Sequence, residues 1–298
     1  MKTVSSCPSC GGEISHSKKG LVSPFLAQRI WARAPFHIQL MKCERCHLMF
    51  FNPRLEPEEE ARHYSGYRDL EYQAMRQSFE PWYTPRFNAN ITNPEFLRLR
   101  KSKVAEILKP HLANRQAPTI LDFGGAHGEL VQGLIAGARP YVYEVSGVEP
   151  FDGVGICADL TACRSHDFDL IISSNVLEHV GDPRALVQEM RQIAGPGTML
   201  WVEVPFESPI GPRLIMRRFV QEATLCLLRP KVALSQARPG MLHLMHEHVN
   251  FFTLKTLESL LRSAGWDFIA SGKYDVRGPL GYQEFIWALG KSSGSGVS

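Results

Sequence analysis

Residues 119–130, TILDFGGAHGEL, leave few folds open to this chain. Ile120, Leu121 and Phe123 supply the apolar run of a short buried strand. The glycines after it permit a sharp bend and a close approach of backbone to a ligand. A helix over 127–137 is expected next, its free N–H groups turned toward whatever the bend holds, which favours an anionic group. Strand, glycine turn and helix together open a nucleotide-type α/β site.

The pattern continues as an alternation. Asn93-Pro94 is a helix start, with a capping side chain and proline at the first helical position, and Leu97, Val104, Leu108 and Leu112 follow at helical spacing. After 119–123 come expected strands at 141–148, 154–158 and 168–174, a helix over 183–194 and a strand at 198–204. A helix at 254–264, stopped by Gly265, precedes two last strands at 266–271 and 283–289, the final one antiparallel. This reads as α/β, a doubly wound, mostly parallel sheet whose ligands bind at the carboxyl ends of the strands.

The turn decides the class of ligand. A dinucleotide fingerprint needs G-x-G-x-x-G, and Gly124 is followed by Ala126 and Glu129 at the decisive places. What stands here is D-x-G-x-x-x-G, Asp122 to Gly128. A carboxylate, Glu149, follows at the expected end of the next strand, where it can accept both ribose hydroxyls of an adenosine. Glu144 is the competing acid, but it precedes the apolar run Val145 to Val148.

Two CxxC pairs, Cys7/Cys10 and Cys43/Cys46, supply four sulfurs for a tetrahedral structural Zn²⁺ site. The 32 residues between the pairs must carry structure of their own. Cys157, Cys163 and Cys226 read as small buried hydrophobes. Glu56 to Glu60 form the acidic first turn of a helix ending near Tyr64, and residues 65–93, rich in aromatics and arginine, read either as a segment that closes over a site or as a packed connector.

The motifs Leu121 to Gly128, Gly147 to Pro150, Phe168 to Ile172, Asn175 to Val180 and Gly195 to Thr198 occur in an order that resembles the class I S-adenosylmethionine-dependent methyltransferases. The resemblance covers residues 117 to about 290. It implies a Rossmann-like seven-stranded sheet in which Gly124, Gly125, Ala126 and Gly128 line the methionine part of S-adenosyl-L-methionine. Asp122 would organise the turn, Glu149 hold the ribose, Asp159 or Leu160 lie near the adenine, and Asn175 end the fourth strand. Two departures stand out: Ala126 replaces the family's middle glycine, and the stretch from Pro150 to Phe168 is short.

Methyl transfer to a hydroxyl, or to a carbon beside a carbonyl, needs a base, and residues 245–253, MHEHVNFFT, offer one. The same His243, His246 and His248 with Glu247 could instead hold a metal. His179, in the Leu177-Glu178-His179-Val180 motif, reads as structural. A cysteine-knuckle zinc domain, a Glu-rich helix with a following Tyr, this core, and Glu-His before an aromatic pair resemble the sugar C-methyltransferases. That likeness implies His248 as general base beside Glu247, with Tyr67 as the contributing tyrosine. The further C-terminal domain of that family has no counterpart here.

The expected organisation is a zinc ribbon over 1–55, a helical linker and lead-in helix over 56–116, a methyltransferase domain over 117–290 with a cap insertion at 206–245, and a disordered tail over 291–298. The insertion interleaves apolar residues with Arg213, Arg217, Arg218, Arg229, Lys231 and Arg238, a basic pattern suited to an anionic substrate or a membrane surface.

The expected activity is methyl transfer to a small acceptor, sugar-like or anionic, such as a nucleotide sugar. Two other readings stay open: an RNA or protein methyltransferase docking through the ribbon, and a non-catalytic ribbon module with a decayed pocket. A net charge of +3 over 298 residues argues against nucleic acid. With no apolar run of bilayer-spanning length and no apolar stretch before Cys7, the chain reads as cytoplasmic. Its oligomeric state is not legible.

Overall fold

The computed structural model describes residues 1–91, 93–279 and 281–293, apart from the side chains of His16, Ser17 and Arg213. The described chain divides into two units. One holds residues 92–177, 183–206 and 254 onward; the other holds residues 1–91, 178–182 and 207–253. The linker 56–91 and most of the 206–245 insertion therefore group with the cysteine-rich segment rather than with the sheet that follows it. Of the expected tail 291–298, residues 294–298 lie outside the described residues. Lys291 still belongs to a strand, and Ser292 is buried.

The larger sheet has seven strands, numbered here in chain order: β1 (Thr119–Phe123), β2 (Arg139–Tyr143), β3 (Gly155–Ile156), β4 (Leu170–Ser174), β5 (Met199–Pro205), β6 (Asp267–Gly278) and β7 (Gly281–Lys291). Their spatial order is β3-β2-β1-β4-β5-β7-β6. The first five are parallel, with Leu121 opposite Tyr141 and Ile171, and β7 pairs antiparallel with both β5 and β6. This is the expected α/β Rossmann-like sheet, with its topological reversal between β1 and β4.

The helix Pro94–Leu112 starts where Asn93 Oδ1 accepts the Phe96 N–H at 3.0 Å. It buries Arg100, Val104, Leu108 and Leu112, a stripe at steps of four. Val104, Leu108 and Leu112 pack with Ile120, Leu170, Ile172 and Trp201, and Trp201 stacks on Trp287 at 4.7 Å. Arg100 sits among these apolar groups because it is paired: its guanidinium donates to Glu203 and Ser174, and the Tyr274 hydroxyl donates to the other Glu203 oxygen at 2.5 Å. Removing one member of such a buried set costs roughly 3–5 kcal/mol.

One expected element is missing. Residues 127–137 run as successive turns, not a helix. Gly128, Gly133 and Gly137 take φ of 78°, 69° and 73°, a left-handed geometry that interrupts right-handed helix propagation. Leu130, Val131 and Leu134 nevertheless reach the core.

The other unit is built on a five-stranded sheet in the order Asn250–Phe251, Met49–Asn52, His37–Cys43, Ile14–Val22, Leu244–Met245. The segment between the CxxC pairs holds the strand Ile14–Val22, the helix Pro24–Trp31 and most of the strand His37–Cys43. Arg54 fastens three stretches of this unit: it donates to the carbonyls of Phe51, Val180, Gly181 and Val249 and to Asn250 Oδ1. Burial pulls its pKa down to about 10.

Candidate functional site

In the sheet unit, the turn after β1 is shaped by sterics. Gly124 takes φ 77°, and a Cβ there would meet the Val176 side chain at 2.9 Å. A Cβ on Gly125 would fall 2.2 Å from Asp122 Cγ, so the turn folds directly over that buried carboxyl. Burial pushes Asp122 up to about 7; Arg100 opposes this, while Glu129, Glu144 and Glu203 add to it. Ala126 is left-handed at φ 49°, a geometry that costs a non-glycine residue roughly 1–2 kcal/mol. Gly128 is left-handed as well, closed by its N–H to the Gly125 carbonyl at 2.8 Å.

The acid at the end of β2 is Glu144, not Glu149. β1 stops at Phe123, opposite Tyr143, so β2 loses that neighbour there, and Val145 is 80% exposed. The Glu144 carboxylate accepts the Ala126 N–H at 3.0 Å and the Ser146 N–H at 2.8 Å, which ties it to the glycine turn. Glu149 is exposed, and its carbonyl accepts from His127 Nδ1 at 2.5 Å.

Asp159 caps the short helix Leu160–Arg164 through the Ala162 N–H at 2.7 Å, with Leu160 as its first residue. Asn175 follows β4 in a left-handed conformation, its amide oxygen facing the Arg100 guanidinium at 3.2 Å. The carboxyl ends of three adjacent parallel strands thus carry Gly124–Gly125, Glu144 and Asn175. These residues fit a nucleoside-bearing cofactor: a glycine turn held against the sheet at one strand end, and a carboxylate one strand away.

In the other unit Cys7, Cys10, Cys43 and Cys46 are buried, and their four sulfurs lie within 4.8 Å of one another. The Cys7–Cys46 and Cys10–Cys43 distances are 3.7 and 3.6 Å. Tetrahedral Zn–S bonds of about 2.3 Å require an edge of about 3.8 Å, so the donor set fits zinc. The Cys7–Cys46 hydrogen bond lowers the Cys7 thiol and raises that of Cys46.

The histidines of 243–248 do not converge. His243 Nδ1 meets the Pro209 carbonyl at 3.0 Å. His246 Nδ1 accepts the Glu247 N–H at 2.8 Å, which leaves Nε2 as the donor to Glu80 Oε1 at 2.5 Å. Glu247 is held by the Tyr72 hydroxyl at 2.5 Å and Arg76 at 2.8 Å. Burial works against the Glu247 charge, yet Arg76 and His246 keep it well below the usual carboxylate range. The tyrosine that reaches Glu247 is Tyr72; Tyr67 packs edge-on against it at 5.2 Å between ring centroids.

His248 pairs instead with Glu207, Nδ1 to Oε2 at 2.6 Å, and its ring meets that of His179 at 4.8 Å. Burial lowers the His248 pKa, but the Glu207 charge and hydrogen bond win and raise it to about 9. His179 is the opposite case. Burial, with His248 nearby, takes it down to about 3, and its Nδ1–H donates to the Glu247 carbonyl at 3.0 Å. Its Nε2 therefore keeps a free lone pair, 3.7 Å from Glu178 Oε1. Glu178, His179 and His248 have ligand atoms within 4.8 Å of one another, so if a metal binds near His248, these residues are its donors. Sequence reasoning missed Glu207, which lies 41 residues before its partner and outside any motif.

A family model described as a methyltransferase domain matches residues 95–271, more than half of the chain. The chain belongs to the class I S-adenosylmethionine-dependent methyltransferases. No curated protein matches this methyltransferase. Among solved structures it is similar to 1,6-didemethyltoxoflavin-N1-methyltransferase of Burkholderia thailandensis, at 16% identity and a TM-score of 0.49, over 86% of this chain and 95% of that one. Magnesium protoporphyrin IX methyltransferase of Synechocystis gives 14% and 0.45, over 76% and 97%. The [4+2]-cyclase SpnF gives 13% and 0.41, over 65% and 81%.

Proposed function

We propose that this protein transfers a methyl group from S-adenosylmethionine to a small, sugar-like or anionic acceptor, and that His248 handles the acceptor's proton. The observation that carries the cofactor assignment is the row of Gly124–Gly125, Glu144 and Asn175 on three neighbouring strand ends, in a chain of this family. Bound there, the cofactor supplies an electrophilic methyl group on its sulfonium sulfur. Gly124, Gly125 and Gly128 would line its methionine end through their backbone, since their missing Cβ atoms let the turn close on Val176, Asp122 and Val154, with Ala126 standing between them. Glu144 would take the ribose role that the motif alone gave to Glu149, and Asp159 and Leu160 remain the adenine side. The four cysteines would hold a structural zinc ion.

His248 fits proton transfer because Glu207 holds Nδ1–H, so that the nitrogen left for exchange with an acceptor is Nε2. Held protonated at neutral pH, it acts as a base only as pH approaches about 9, so the rate should rise along an alkaline limb. His179 is a second reading favoured by one observation, its unprotonated Nε2. If it were the base, the rate would be flat through that range. The sugar-like acceptor rests on the resemblance to sugar C-methyltransferases. The test is incubation with methyl-labelled cofactor and a panel of nucleotide sugars, scored by mass spectrometry for one added methyl, with His248→Gln and His179→Gln compared across pH. Label in no sugar, with cofactor turnover on some other small molecule, would discard the sugar and keep the activity.

A further inference from the structure

The helix Pro212–Leu228 turns its apolar stripe outward. Met216, Phe219, Val220 and Leu227 are 68, 72, 60 and 83% exposed, and Ala223 between them is exposed too. These five positions follow i, i+3, i+4, i+7, i+11, an arc of about 100° on the helix surface. The opposite side carries Leu225, which is buried, and Arg218 and Gln221, which are bonded to each other. The next helix, Pro230–Gln236, adds Leu234 at 75% exposure. An apolar stripe of this extent on a water-facing helix marks a contact surface.

Charge selects the occupant. Residues 212–238 hold six Lys and Arg against one Glu, a surplus of five in a chain whose total is +3. Arg217, Arg229, Lys231 and Arg238 are exposed, whereas the one acid, Glu222, is partly buried and accepts from Gln236 at 2.5 Å. Two copies of so cationic a face would repel each other. An apolar stripe rimmed by cations matches the boundary of an anionic bilayer, where the stripe enters the acyl region and the cations meet headgroup phosphates. No described helix is long and apolar enough to cross a membrane, so this contact would lie in the surface plane. We infer that the Pro212–Gln236 helices dock the protein on an anionic lipid surface through Met216, Phe219, Val220 and Leu227.

Cys226 gives a direct probe, because it is exposed beside the stripe while the other six cysteines are buried. The zinc-loaded full chain is labelled there with an environment-sensitive thiol dye and mixed with vesicles of phosphatidylcholine alone or with phosphatidylglycerol. The expected result is a blue shift on the anionic vesicles only, reversed by high salt. Arg217→Ala and Lys231→Ala should each weaken binding about fivefold. Phe219→Asp with Leu227→Asp should abolish vesicle co-sedimentation. An absent shift, or an equal shift on neutral vesicles, overturns the inference. A shift that grows with protein concentration without lipid, together with dimers in sedimentation equilibrium, overturns it in favour of a second copy of the chain.

Discussion

Replacing Glu207 by Gln removes the charge that keeps His248 protonated. The two side chains meet at 2.6 Å and are 44 and 30% exposed. Two unit charges at that distance attract by about 1.6 kcal/mol even at the dielectric constant of water, which is about 1.2 pH units. Glu178 and Glu247 also favour the charged ring, so part of the effect survives the substitution. We therefore predict a His248 midpoint near 9 in the parent protein and at least about one unit lower in Glu207→Gln.

The assay is an NMR titration of the imidazole Cε1–H signals, with His248→Gln identifying the resonance, and it needs no acceptor. The stability linkage has a definite sign. A raised histidine pKa contributes stability that is complete below the ordinary 6.5 and lost as pH rises through about 9. The melting temperatures of parent and variant should differ most below pH 6.5 while Glu207 is still ionised, and converge above 9. A parent midpoint close to 6.5, or one that Glu207→Gln leaves in place, would refute the reasoning.

Three further outcomes are expected. Ala126→Gly releases a left-handed alanine worth roughly 1–2 kcal/mol, set against about 0.4–1 kcal/mol of unfolded-chain entropy; it should stabilise by up to about 1.6 kcal/mol in a denaturant melt and should tighten S-adenosylhomocysteine binding. Cys43→Ser should abolish the one zinc ion per chain found by elemental analysis, and chelation of the parent protein should lower its melting temperature. Tyr72→Phe leaves the buried Glu247 carboxylate short of one donor and should cost about 1.5–3 kcal/mol in urea unfolding, whereas Tyr67→Phe, which leaves that donor in place, should cost less.

Fold class was legible because the stretches at 119–123, 168–174 and 198–204 are rich in apolar residues around Ile120-Leu121, Leu170 to Ile172 and Met199 to Val202, which marks them as buried strands. The helix expected over 127–137 failed for a local reason that spacing does not encode: three of its residues are glycines free to go left-handed, and they do. The acid at the end of β2 was misplaced because Val145 to Val148 look like a strand. Pairing decides instead, and β1 ends at Phe123. Around His248 the motif named the neighbouring Glu247 as companion, but Glu247 is taken by Tyr72 and Arg76, and the carboxylate paired with His248 is Glu207. Leu214, Ile215, Phe219, Ala223 and Leu227 lie near helical spacing in the sequence, but which way that helix turns them depends on packing against other segments.

Isothermal titration of the zinc-loaded protein with S-adenosylhomocysteine tests the central claim most directly. The account predicts saturable binding in the micromolar range, weakened at least tenfold when Glu144→Ala removes the carboxylate at the end of β2, by the worth of one charge-assisted hydrogen bond. Correctly folded protein that binds no S-adenosylhomocysteine would contradict it.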